Sequence, residues 1–128
     1  MCLVTTQLEP KIADKDIICY KIVRKSKIKG MYWAEYQSFE YIIRILYTNN
    51  IDIKRSKDVL QTIYRNAPLI EKSISDFMFH SYKSPYRYYI YANTLVKCII
   101  PKGAYYFKGR HNGIWGYASS QIKILEEI

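Results

Sequence analysis

Apolar and polar positions alternate along much of this chain, in short blocks rich in β-branched and aromatic residues. The block 16–25, built on Ile17-Ile18-Cys19-Tyr20-Lys21-Ile22-Val23, predicts a strand. It runs into a basic turn of Lys25, Lys27, Lys29 and Gly30, and Met31-Tyr32-Trp33 then predicts a short extended piece. Residues 39–47 set Tyr41, Ile43 and Ile45 on one side and Ile42, Arg44 and Leu46 on the other, a pattern shared by strand and helix. Its β-branched content favours strand. Residues 74–82 alternate as a strand, with Phe77, Phe79 and Ser81 opposite Met78 and His80. Residues 95–100 predict a buried strand stopped by Pro101-Lys102-Gly103. Tyr105-Tyr106-Phe107 resumes extended structure, Asn112-Gly113 is a hairpin-turn dipeptide inside a loop 109–113, and residues 121–125 predict a last strand.

Two segments depart from this period. Ser56 precedes a stretch whose apolar positions Val59, Leu60, Ile63 and Tyr64 fall on one helical face, with Ala67-Pro68 as the stop. Ser84-Pro85 has the form of a helix start, predicting a second short helix over 86–92 that Asn93 closes. The fold expected is therefore α+β, an antiparallel sheet with two short helices packed on one face. At 128 residues the chain makes a single domain, 1–128.

Charge changes the picture more than composition does. From Phe77 to Leu125 there is no aspartate or glutamate, while Lys83, Arg87, Lys97, Lys102, Lys108, Arg110 and Lys123 stand among eight tyrosines. A positive field segregated in this way attracts an acidic partner, either a protein surface or nucleic acid. The candidate contact residues are Lys83, Arg87, Lys102, Lys108, Arg110, His111, Trp115 and Lys123. Basic side chains interleaved with aromatic ones permit phosphate neutralisation together with base stacking. No helix-turn-helix, zinc-finger or RNP pattern accompanies them.

Catalytic signatures are missing. His80 and His111 are the only histidines, no serine sits in a nucleophile elbow, and neither phosphate-binding glycine motif occurs. The glycine-containing stretch 109–116 is a weak candidate phosphate cradle, with Lys108 and Arg110 beside it. Cys2, Cys19 and Cys98 show no metal-knuckle or redox spacing, so no metal and no cofactor is expected. They read as small apolar residues of a reducing compartment. The N-terminal residues lack an apolar secretory core, and no stretch is long enough for a membrane span.

Four blocks resemble a family of small uncharacterised proteins of Bacteroides-type bacteria and their phages and mobile elements. They are Ile18-Cys19-Tyr20-Lys21, Phe79-His80-Ser81-Tyr82-Lys83, the stretch 96–109 around Cys98-Ile99-Ile100-Pro101-Lys102-Gly103-Ala104, and Gly116-Tyr117-Ala118-Ser119-Ser120-Gln121-Ile122. The likeness is concentrated from Phe79 onward and implies a phage or mobile-element setting without an activity. The segments 100–104 and 116–125 are also similar to the late strands of ADP-ribosyltransferase folds. Ser119 and Gln121 occupy the places of that family's paired glutamates, which implies a degenerate, inactive domain.

The function expected is a non-enzymatic accessory or structural protein that binds an acidic partner through its basic, tyrosine-rich C-terminal half. It would act in the cytoplasm of a bacterial host or in a virion, away from membranes. Three alternatives stay open: a small-molecule or nucleotide-binding host-defence inhibitor with a pocket near His80, Tyr82, Tyr106 and Tyr117, the degenerate transferase-like domain, and a self-assembling virion component.

Overall fold

The computed structural model describes residues 3–7, 9–34, 39–49, 60–63, 70–74, 79–85 and 93–128. Among these residues there is no helix. The strands are β1 (Leu3–Thr5), β2 (Lys11–Ile12), β3 (Ile17–Lys25), β4 (Met31–Ala34), β5 (Glu40–Ile42), β6 (Leu46–Thr48), β7 (Leu60–Ile63), β8 (Ile70–Ile74), β9 (Phe79–Tyr82), β10 (Thr94–Ile100), β11 (Tyr105–His111), β12 (Ile114–Ser119) and β13 (Gln121–Glu127). All pair antiparallel in one sheet, in the order β6-β13-β10-β3-β9-β12-β11-β1-β8-β7, with β2 on β11 and β4-β5 attached to β3.

The expected α+β class is thus corrected to all-β. Residues 60–63, assigned to the first helix, are a strand paired with β8 from Leu60 opposite Ser73 to Ile63 opposite Ile70. Pairing across the sheet has overridden a local helical pattern, as tertiary context commonly does. The segment 51–59 and the second helix, 86–92, lie outside the described residues. Two further boundaries move. Residues 39–47 divide into β5 and β6 around a turn in which Arg44 takes a positive φ of 66°. The loop 109–113 shrinks to Asn112-Gly113, because Gly109, Arg110 and His111 continue β11.

β3 pairs with both β10 and β9, β9 with β12, and β10 with β13. Only Ser120 separates β12 from β13. The strands therefore close a ring, in which one long segment bent at Ser120 supplies the joint. Its interior is the core. Cys19 and Val23, Phe79, Val96, Cys98 and Ile100, Tyr117, and Ile122 with Ile124 point inward, while Tyr32, Ala34 and Tyr41 from the β4-β5 hairpin pack against them. Phe39, Tyr41, Tyr47 and Phe79 meet edge to face or tilted, with ring centres 4.8–6.4 Å apart. Such pairs add to the stability from simple burial.

Candidate nucleic-acid interface

Alternation along the ring strands decides which side chains meet. Arg110 pairs with Trp115 and Lys108 with Tyr117 across β11 and β12, so these four project from one face. β2 pairs Lys11 with Tyr106 on the next strand over, which brings Lys11 to the same face. Lys83 follows β9, and its backbone N–H donates to Trp115 O at 3.0 Å.

The result is an exposed indole ringed by cations. Trp115 is 49% exposed, with the Arg110 guanidinium 4.8 Å and the Lys108 ammonium 5.6 Å from its ring centre. Lys83, and more weakly Lys11, stand close enough to hold the Lys108 ammonium below its ordinary pKa by like-charge repulsion. The ion pairs among the described residues are Lys25–Glu127 and Lys97–Glu126, and neither touches this cluster. Four positive charges are held together with no ion-pair partner among the described residues. The hairpin that carries Lys108 and Arg110 is held at Lys108: Gln7 accepts from the Lys108 N–H at 3.1 Å, and the Thr5 hydroxyl donates to Lys108 O at 2.5 Å.

Not every expected contact residue joins the cluster. His111 lies on the opposite face of β11, 1% exposed, with its ring 5.2 Å from His80 and 5.5 Å from Tyr82. Burial pushes its imidazole down to about 4, so it is neutral at pH 7. Lys102 is exposed in the β10-β11 turn, where its N–H donates to the Asp16 carboxylate at 2.8 Å. Lys123 pairs with Ile99 and Leu46 on β13, separated from β12 in the sheet by β10, β3 and β9. Arg87 lies outside the described residues. Lys11, by contrast, carries no sequence signal beyond a single charge. Only strand pairing places it at the cluster.

The pocket expected near His80, Tyr82, Tyr106 and Tyr117 divides between two faces. His80 and Tyr82 share the outer face with His111. Tyr106 and Tyr117 meet each other on the other face, with ring centres 6.0 Å apart, and burial raises the Tyr117 phenol above its ordinary pKa. The suggested phosphate cradle at 109–116 is likewise filled. Gly109 and Gly116 are mid-strand and buried; a Cβ on Gly109 would strike Val4 O and the Thr5 side chain, and one on Gly116 would strike Ser81 O and the His111 ring. These two glycines admit neighbouring protein, while Gly113 at the turn has nothing within 4 Å of its Cβ position.

The ring interior holds reactive residue types but seals them. Cys19 and Cys98 face each other on β3 and β10, both 0% exposed. Burial raises the Cys98 thiol well above its ordinary range. Lys21 points the same way, donating to His80 O at 2.5 Å with its ammonium 5.5 Å from the centre of the Tyr41 ring. Ser119 is also fully buried, its hydroxyl donating to Gln121 O at 2.9 Å. Among the described residues no group of His, Cys, Asp or Glu is arranged to hold a metal ion, and no helix is long and apolar enough to cross a membrane. No protein-family model, curated protein or solved structure matches the chain.

Proposed function

We propose that this chain is a non-enzymatic binding protein for single-stranded nucleic acid. Its contact surface would be the face of β11 and β12 that carries Trp115, Arg110 and Lys108, with Lys83 and Lys11 at its border. The observation that carries this reading is the half-exposed indole set within cations that pair with no carboxylate among the described residues. A base has a π-face for the indole, a phosphate answers the cations, and both kinds of group recur along one strand. An acidic protein surface would satisfy the charge but leaves the exposed aromatic ring without a purpose. The phage or mobile-element setting suggested by the sequence blocks belongs to the same proposal.

Anisotropy titration of a labelled oligo-dT tests the reading. With four cations engaged, affinity falls between 50 and 200 mM salt by on the order of 50-fold. Trp115→Ala weakens binding on the order of tenfold, the size of one lost base stack. Lys108→Glu with Arg110→Glu abolishes it while the circular dichroism spectrum is unchanged. Binding that is indifferent to salt, or to the loss of Trp115, overturns the proposal.

A further inference from the structure

A second basic feature lies elsewhere in the molecule. The register of Tyr20 with Tyr82, and of Tyr82 with Gly116, sets Trp115 toward the Ile17 end of β3. At the opposite end, Lys25, an open cleft of about 710 Å³ lies between the β3-β4 turn, the β5-β6 turn and the end of β13. This falls within the range of small-ligand sites. Its floor is apolar, formed by Met31, Tyr32, Ile43 and Leu125. Lys27, Lys29 and Arg44 stand at its rim, all exposed, and the ion pairs among the described residues leave these three cations uncompensated. Ser26, Ile28, Gly30, Glu126 and Glu127 complete the lining, with Glu127 paired to Lys25 at 3.1 Å and Glu126 to Lys97 at 3.9 Å.

Two details show a shaped site. The walls are tied by backbone hydrogen bonds, Ile43 N–H to Gly30 O at 2.9 Å and Arg44 N–H to Ile124 O at 2.8 Å. Arg44 also holds a positive φ of 66°, a conformation that costs a non-glycine residue about 1–2 kcal/mol. A glycine there would cost the fold less, and the arginine sits against the backbone's preference. What it provides is a guanidinium at the rim, the side chain best suited to forked contact with a phosphate.

We propose that this cleft binds a phosphate ester whose body carries hydroxyl or amino groups, the shared chemistry of mononucleotides and sugar phosphates. Lys27, Lys29 and Arg44 take the phosphate, the apolar floor takes the ring, and the hydroxyl or amino donors approach the Glu127 carboxylate that Lys25 holds at the cleft. The separation of positive and negative groups sets the ligand's orientation.

Calorimetric titration of the full chain with AMP, ribose 5-phosphate, adenosine and inorganic phosphate tests this. AMP binds, and adenosine binds at least tenfold more weakly. Ribose 5-phosphate equal to AMP identifies sugar phosphates as sufficient, and AMP tighter by tenfold or more identifies nucleotides; either outcome supports the site. Arg44→Gly weakens AMP at least tenfold in a protein that is as stable as the parent or more so, which separates loss of binding from loss of folding. Lys27→Glu with Lys29→Glu has the same effect, whereas Trp115→Ala leaves AMP affinity unchanged. The proposal is overturned if adenosine or inorganic phosphate matches AMP, if no phosphate ester binds, if the rim variants retain full affinity, or if Trp115→Ala removes binding.

Discussion

Gly116 has no side chain because the His111 ring and Ser81 O already occupy the volume a methyl would need. Gly116→Ala therefore has to push β9 or the imidazole aside. Overpacking of this kind costs roughly 1–3 kcal/mol, and a chemical denaturation midpoint reads it directly. The same imidazole makes the fold sensitive to acid. His111 faces His80, Tyr82 and Tyr117 O, and Lys21 and burial both oppose its protonation. Its folded pKa of about 4 lies below the 6.5 of an unfolded histidine. The unfolded chain thus takes up the proton first. The contribution is fully present above pH 6.5 and is lost as pH falls from there through 4, amounting to roughly 3 kcal/mol. His111→Phe removes this component, so the difference in unfolding free energy between parent and variant changes across that window. A constant difference between pH 7 and pH 4 would show that the ring is not the group responsible.

At the scale of elements, the β11-β12 hairpin depends on its turn. Asn112 and Gly113 have φ values of 49° and 84°, the paired positive angles of a type I′ turn, whose twist matches that of the flanking strands. Gly113→Ala meets no neighbour but must hold that angle, and should lower stability by about 1 kcal/mol. Because Arg110 and Trp115 flank the turn as a cross-strand pair, oligonucleotide affinity should fall with it in the same anisotropy assay. This turn was legible in the sequence, as were the strands at 17–25, 94–100 and 121–127, because each is long enough to show its own period or dipeptide. Residues 60–63 were not: Leu60 and Ile63 satisfy a helical spacing as well as a strand, and only the pairing with β8 decides between them. β1 and β2 are too short to show any period. The candidate interface was legible to the same extent. Lys108, Arg110 and Trp115 sit on one hairpin and announce themselves by proximity in sequence. His111 looks like their neighbour, yet alternation turns it to the opposite face of β11, where it is buried against His80 and Tyr82, and Lys11 arrives from nearly a hundred residues away. The lysines at 25–29 read from the sequence only as a turn, since nothing local shows that Arg44 and the end of β13 stand beside them.

For the whole molecule, charge segregation in sequence becomes charge placed at separate ends of one sheet. The acid-free C-terminal stretch supplies three of the cations around Trp115, while those at the cleft come from the N-terminal half, with two glutamates at the C-terminus opposite them. Two regions of like sign thus differ in surroundings: one presents an aromatic ring to solvent, the other an apolar hollow bounded by carboxylates. β13 follows β12 directly across the bend at Ser120 and lines the cleft. β13 pairs with β10 and also supplies the Glu127 partner of Lys25. β3, β9, β10 and β12 can therefore pair in part before β13 is in place, but Cys98 and Ile100 on β10 are covered only when that seven-residue strand joins them. Until β13 docks on β10, that side of the core stands open to solvent.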